Sequence, residues 1–229
     1  MRKYYFAILI LLILTLMTSC YEDGDAGINN FEQMEALEIG DIIQFGNHDW
    51  RVLALYDDTA LIITENVIGS MPYYNYFFSD VTWEVSEIRS YLNGAFLDTF
   101  TQEERGRILP NVVQTLDNEW YWTRGGNDTI DYVFLLSIAE VVRYFGDSGQ
   151  LANPEPPQHG IRQAKLSDEY NSMRVVFDEY GAETGWWLRS PGFDIDFSAG
   201  VIEDGVISID GWPVNANGGI RPALLLDLN

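Results

Sequence analysis

The segment Gly218-Gly219-Ile220-Arg221-Pro222-Ala223-Leu224-Leu225-Leu226 stands just before the end of the chain at Asn229. Side chains alternate along an extended backbone, so Ala223 and Leu225 take one face and Leu224 and Leu226 the other. Apolar residues on both faces predict a central strand, covered from either side. Upstream, Trp186–Arg189, Phe197–Ile202 and Val206–Ile209 read as further strands. Pro191-Gly192, Asp204-Gly205 and Asn217-Gly218-Gly219 separate them, and both Asp204-Gly205 and Asp210-Gly211 have the chemistry of hairpin turns. The front of the domain matches the back. Asp41–Phe45, Asp49–Tyr56 and Thr59–Val67 are rich in Val, Ile, Leu and aromatics, and Gly46-Asn47 and Asp57-Asp58 divide them into antiparallel strands.

Helix signals lie between the two groups. Ser86–Asn93 carries Ile88 and Leu92 four apart, with Val85 three before Ile88 on the same stripe, and Asn93-Gly94 as its expected break. Thr101 and Glu104 have capping-box spacing before Arg105–Leu109, which Pro110 ends. Ser137 and Glu140 repeat that spacing at the head of a helix running through Val141, Val142 and Tyr144 to Gly146. Asp147–Gln163, with Pro154, Pro156 and Pro157, reads as loop, and Ser167–Tyr180 as a fourth helix. Strands, then helices, then strands predict one α+β domain over residues 39–229, a mixed or antiparallel twisted sheet with flanking helices.

The 229 residues are 47% apolar and 14% aromatic, which supports a packed core and excludes global disorder. Against 13 Lys and Arg stand 35 Asp and Glu, a formal net charge of −22. That excess excludes nucleic acid as a partner, because binding phosphates takes Lys and Arg. A single cysteine, Cys20, excludes an intrachain disulfide and a zinc–thiolate cluster.

Arg2 and Lys3 precede the apolar run Ala7–Leu14, and small residues follow at Thr18 and Ser19. This is the pattern of a secretory signal over residues 1–19, too short to span a bilayer comfortably. Met17-Thr18-Ser19-Cys20 resembles the lipobox of bacterial lipoproteins, with Met in place of the more usual Leu. The resemblance implies cleavage before Cys20 and lipidation of its sulfur, an anchor strong enough to hold when two acyl chains are present. Residues 20–38 then read as an acidic tether, and a flexible chain of about 16 residues reaches roughly 20–24 Å. The expected location is extracytoplasmic, anchored to a bacterial membrane.

Several side chains are candidates for a site. Trp187 and Arg189 are two apart in a predicted strand, so both would project from one face, while Trp186 takes the other and enters the core. A ring beside a guanidinium suits a sugar, an aromatic ligand or a carboxylate-bearing peptide. The other reading puts Trp187 in the core and locks Arg189, like Arg221, to a carboxylate. Asp194 and Asp196 share a face if Asp194-Ile195-Asp196 is extended, and join the ligand-binding candidates. Asn127, Asp128 and Asp131 offer oxygens to a hard cation such as calcium, but neither segment has the spacing of a calcium loop, so no metal is expected. His48 and His159 are the only histidines, and Ser190 sits in Arg189-Ser190-Pro191-Gly192, which is no nucleophile elbow. The aromatics of Met71–Phe78 either stack on a sugar ring or pin a loop to the core.

Four segments together resemble a bacterial domain family of unknown function: Val81–Phe100, Gly125–Gly146, Trp186–Gly192 (WWLRSPG) and Gly218–Leu226 (GGIRPALLL), with Phe45–Leu55 as its usual opening. The family's closing strand is of GVRPAL type; Ile220 replaces its Val, and Asn153–Pro157 is an unusual insert. The family is similar to the C-type-lectin-like superfamily that includes formylglycine-generating enzymes, which implies a small twisted sheet, flanking helices and neighbouring chain ends. Formylglycine chemistry needs reactive cysteines, which Cys20 alone does not supply. The calcium-dependent sugar motifs of lectins are missing too, since Asn153-Pro154-Glu155 runs in the reverse order. The expectation is a binding or interaction module for a protein or glycan, with no cofactor and no catalytic residues. The alternatives are a carboxylate-dependent hydrolase of cell-wall or extracellular glycans and a structural spacer of the envelope.

Overall fold

In the computed structural model, residues 37–151 and 164–229 are described. The expectations for the signal segment, Cys20, the tether up to Ala36, the Pro-rich insert and His159 fall outside them. In chain order the strands are β1 (Ile42–Phe45), β2 (His48–Tyr56), β3 (Thr59–Thr64) and β4 (Ser70–Pro72). Helices α1 (Glu87–Tyr91) and α2 (Gln102–Arg107) follow, then β5 (Ile108–Leu109), β6 (Asn111–Val113), β7 (Thr129–Asp131) and β8 (Val133–Phe134). Helix α3 (Ile138–Phe145) precedes β9 (Lys165–Leu166), α4 (Asn171–Arg174), β10 (Val176–Phe177) and β11 (Glu183–Thr184). The chain ends with β12 (Trp186–Pro191), β13 (Phe197–Val201), β14 (Ile207–Pro213), β15 (Asn217–Gly219) and β16 (Ala223–Asp227). The fold is α+β, mostly sheet with few helices, and Glu38–Asn229 forms one compact unit. Among the described residues no helix is long and apolar enough to cross a membrane.

Two sheets carry the fold. The first has the order β1-β2-β3-β16-β5, with β8 also on β16, and the second the order β4-β15-β12-β13-β14-β9. All pairings are antiparallel except β12 with β15. Strand β16 is central: β3 lies along one edge, and β8 and β5 share the other. Gly219 belongs to the second sheet and Ala223 to the first, so Ile220-Arg221-Pro222 is the crossing between them. Backbone hydrogen bonds hold that crossing, from Ile68 N–H to Ile220 O at 2.9 Å and from Thr64 N–H to Pro222 O at 3.0 Å. Arg221 is buried in it. Its Nε donates to Thr64 O at 2.9 Å, its Nη2 to Glu65 O at 3.1 Å, and its guanidinium lies 5.0 Å from the Trp186 ring and 5.1 Å from Phe145. Burial lowers its pKa to about 9 against the pull of the Glu65 carboxylate, which leaves it charged at neutral pH.

Both capping boxes form, at Thr101–Glu104 and Ser137–Glu140. Other elements differ from expectation. Asn93-Gly94 does not break its helix, which runs on from α1 as a wider turn over Leu92–Phe96. The Asn93 side chain explains this, accepting from Tyr132 N–H at 2.8 Å and donating to Val133 O at 2.8 Å, so it clips β8 to the helix. Helix α2 stops at Arg107 because Ile108 and Leu109 pair with β16. Asp210-Gly211 is a bulge inside β14, where Ile209–Gly211 lie opposite the single Ala199. Gly211 has φ +73°, and a Cβ there would meet Ser198 O at 2.0 Å, so only glycine fits. The expected helix Ser167–Tyr180 shrinks to Asn171–Arg174. Asp168 and Asn171 compete with it by accepting from the Tyr170 and Asp168 N–H groups, and Val176–Phe177 pair with β11.

Truncation after Gly219 removes the crossing and β16, stripping β3, β5 and β8 of their shared partner. No cooperative thermal transition is expected from that fragment; a cooperative melt would contradict the central role of β16. A second expectation concerns acid. Asp168 is paired with buried Arg174 at 3.0 Å and accepts from Ser148 Oγ at 2.9 Å and Tyr170 N–H at 3.0 Å. Burial alone would raise its carboxyl pKa, but the Arg174 and Ser148 hydrogen bonds, the Tyr170 N–H and the Arg174 charge together hold it below the ordinary value. With the folded pKa depressed, the contribution is complete above the unfolded value near about 3.9 and is lost as pH falls through the folded value. Asp168→Asn should melt earlier than wild type at neutral pH, with the difference shrinking below about pH 4. A difference constant across that range would refute this account.

Candidate functional site

Strand β12 and the motif WWLRSPG sit at the centre of the second sheet, and every side chain of the strand is buried. Trp186 and Trp187 are both 0% exposed, which corrects the assignment of Trp187 to a surface. Each face of β12 is covered. Trp186 meets Phe145 of α3 and donates to Arg174 O at 3.1 Å. Trp187 packs 5.1 Å from Trp212 and 5.6 Å from Tyr73, and donates to Met71 O at 3.0 Å. Gly218 leaves room for it, since a Cβ there would come within 2.7 Å of the indole. Arg189 does not share Trp187's partners, because the register shifts between Trp187 and Pro191. It is 4% exposed and reaches α3 instead. Its Nη2 donates to Glu140 Oε1 at 2.9 Å and to Gln114 O at 3.0 Å; its Nη1 donates to Glu140 Oε2 and, at 2.7 Å, to Leu135 O. Glu140 Oε2 also accepts from Ser137 N–H at 2.8 Å, so one carboxylate caps the helix and neutralises the buried cation.

The remaining candidates separate. Asp194-Ile195-Asp196 is a turn, not a strand: Asp194 is exposed, and Asp196 is buried, accepting from Phe78 N–H at 3.3 Å. Asp131 is buried too, fully used by Arg89 at 2.7 Å, Trp83 Nε1 at 2.8 Å and Thr129 Oγ1 at 2.6 Å. Asn127 donates to Glu84 at 2.9 Å, and Asp128 stays exposed. Among the described residues no group of three His, Cys, Asp or Glu converges as a metal site. Ser190 accepts from Ile138 N–H at 3.0 Å through its hydroxyl, a structural bond. His48 packs against Phe96 at 5.6 Å, and burial lowers its pKa.

A cleft of about 540 Å³ opens above the Arg189–Glu140 pair. Its floor is Arg189 and Ser190; α3 gives one wall, and the chain from Asn111 to Trp120 the other. Val112 and Leu116 on that wall are 65% and 64% exposed, and Asp117 and Glu119 add carboxylates. The cleft thus has a mixed lining over a rigid floor: Val112 and Leu116 stand among Asn111, Gln114 and the two carboxylates, with Arg143 on the α3 side.

The loop that forms this wall carries a feature not expected from sequence. Asn118 pins it, donating from Nδ2 to Pro191 O at 2.9 Å, Gly192 O at 3.2 Å and Ile209 O at 3.1 Å. Its backbone oxygen accepts from Trp122 N–H at 2.7 Å. So held, Trp122 has φ +62° and is 85% exposed; Phe78, on the loop held by Asp196, has φ +58° and is also 85% exposed. These are the two non-glycine positive-φ residues among those described, and each such conformation costs about 1–3 kcal/mol. The only signal was spacing: Trp122-Thr123-Arg124 repeats the Trp-x-Arg pattern of Trp187–Arg189, here in a polar loop.

These features define a sheet-dominated α+β domain with a cleft at one helix. The chain belongs to the family described as Domain of unknown function (DUF6273), which matches residues 57–228. No curated protein and no solved structure matches it.

Removing one partner of the Arg189–Glu140 pair leaves a buried charge uncompensated. Because Glu140 is 29% exposed, Arg189→Met and Glu140→Ala should each cost about 3 kcal/mol, the lower end for such pairs. The double variant is expected to lose clearly less than the sum in denaturant melts, and strict additivity would show that the two do not couple.

Proposed function

We propose that this chain is a membrane-anchored extracytoplasmic lipoprotein, tethered through Cys20, whose domain binds a protein or glycan ligand rather than catalysing a reaction. The observation that carries this reading is the cleft over Arg189–Glu140. Side chains best suited to chemistry are committed to structure: Arg189 to Glu140 and Ser190 to the α3 backbone at its floor, and Asp131, outside its lining, to Arg89 and Trp83. What faces the open volume is a mixed lining, with exposed Val112 and Leu116 beside Asp117, Glu119 and Arg143, the composition of a contact surface. A spacer has no need of such a cleft. The net charge of −22 disfavours nucleic acid. A C-type-lectin-like fold is part of the proposal, supported by the late strand β16 beside the early β3 in a small sheet flanked by helices.

The anchor and the cleft are separable. Cys20→Ser is expected to leave the membrane fraction or to accumulate unprocessed, and unchanged mass with unchanged partitioning would exclude lipidation. A benzophenone amino acid in place of Leu116 in the cleft should give a discrete photo-crosslinked adduct in cells, while the same group at exposed Ile39 should not. Equal or absent adducts at both positions would overturn the binding role of the cleft.

A further inference from the structure

We propose that Trp122 and Phe78, together with the ion pair Asp80–Arg124, form a second binding site, one that takes a neutral oligosaccharide. The two rings are 85% exposed on different loops, and both loops are held from beneath. Trp122 N–H donates to Asn118 O, and Phe78 N–H to buried Asp196. Phe78 also rests on Phe77, with ring centroids 4.2 Å apart. The loops are joined side by side. Arg124 donates to Asp80 at 3.0 Å, and each partner of this bond lies two residues after one of the rings. Gly126 lies against Thr82, where a Cβ would come within 2.7 Å, so the loops touch again further on.

Bulky residues with positive φ in water gain nothing from burial, yet the surrounding bonds hold them there. Backbone held in such a conformation clusters at ligand clamps, and rings carried on backbone fixed in advance lose less entropy on binding than rings on a free loop. The chemistry carried beside the rings, on the same two loops, selects the ligand. A pyranose presents a C–H face, which a ring covers, and an edge of hydroxyls, each able to donate and accept. The side chains of Asp80 and Arg124 are 52% and 75% exposed, a carboxylate acceptor beside a guanidinium donor. That combination matches neighbouring hydroxyls. A purely apolar partner would leave the ion pair desolvated, and an anionic glycan would meet the field of a chain with net charge −22.

The test uses the full-length chain in detergent, with chitohexaose, cellohexaose and mannohexaose as neutral probes and a hexa-arginine peptide as the charged one. Saturable binding of at least one hexasaccharide, seen by calorimetry and by a change in tryptophan fluorescence, is expected. The affinity should change little between low and high salt, since a neutral ligand has no charge to screen. Trp122→Gly and Trp122→Asn suit the positive φ and keep the loop intact, and each should weaken binding by about tenfold or more without lowering the melting temperature. Asp80→Asn should weaken it too, while Ile39→Arg, at an exposed position outside both sites, should not. The proposal is overturned if no hexasaccharide binds, or if binding survives the Trp122 variants. It is equally overturned if hexa-arginine alone binds through Trp122 in a salt-sensitive way, which would make the partner a basic peptide.

Discussion

A guanidinium can be kept inside a protein only if acceptors close around it, and among the described residues three are held so: Arg174, Arg189 and Arg221 are 0%, 4% and 2% exposed. Each one draws distant pieces of chain together. Arg221 gathers the end of β3, the Trp186 ring and the Phe145 ring at the place where the chain crosses from one sheet to the other. Arg189 gathers Leu135, Gln114 and Glu140. Arg174 binds Asp168 and Gly146 O, and its own carbonyl accepts from Trp186. In so acidic a chain these cations are scarce, and burying them fixes which carbonyls and carboxylates converge.

The position of the cleft follows from that constraint. Glu140 is drawn to Arg189, and since it also caps α3, the start of the helix is fixed over β12. Gln114 O is drawn to the same guanidinium, which fixes the facing wall. The volume between them is what remains when both are anchored to one floor. Its shape is therefore tied to the core, and only the outer residues of the wall, such as Val112, Leu116 and Glu119, can vary without disturbing the fold.

Period and turn chemistry made much of this legible. The alternation of Ala223–Leu226 marks a central strand, and the two capping boxes mark their helix starts, because those signals depend on neighbours in sequence. What was not legible depends on distant partners. Asn93 reads as a helix breaker until β8 arrives to use its amide, and Asp210-Gly211 reads as a turn until Ala199 lies opposite. Asp194 and Asp196 share a face only in an extended chain, and the N–H of Phe78 draws one of them inside. Trp187 carries both a surface and a core reading in its own segment, and the partners that cover it, Tyr73, Trp212 and Gly218, show only in the fold.

The two Trp-x-Arg segments show the difference most directly. In both, a ring and a guanidinium stand two residues apart. At Trp187 the neighbours are Trp186 and Leu188, so the segment has no polar face to offer water, and it becomes the middle strand of a covered sheet. At Trp122 the neighbours are Asn118, Glu119 and Gly125-Gly126, which favour a loop, and Asn118 ties that loop to three carbonyls of the sheet beneath. The arginines diverge in the same way: Arg189 finds a carboxylate at the start of a helix, and Arg124 finds one on an exposed loop. The same spacing thus serves the core in one place and the surface in another, and local polarity decides which. The ring most available to a ligand is the one whose backbone is held from below by a buried amide.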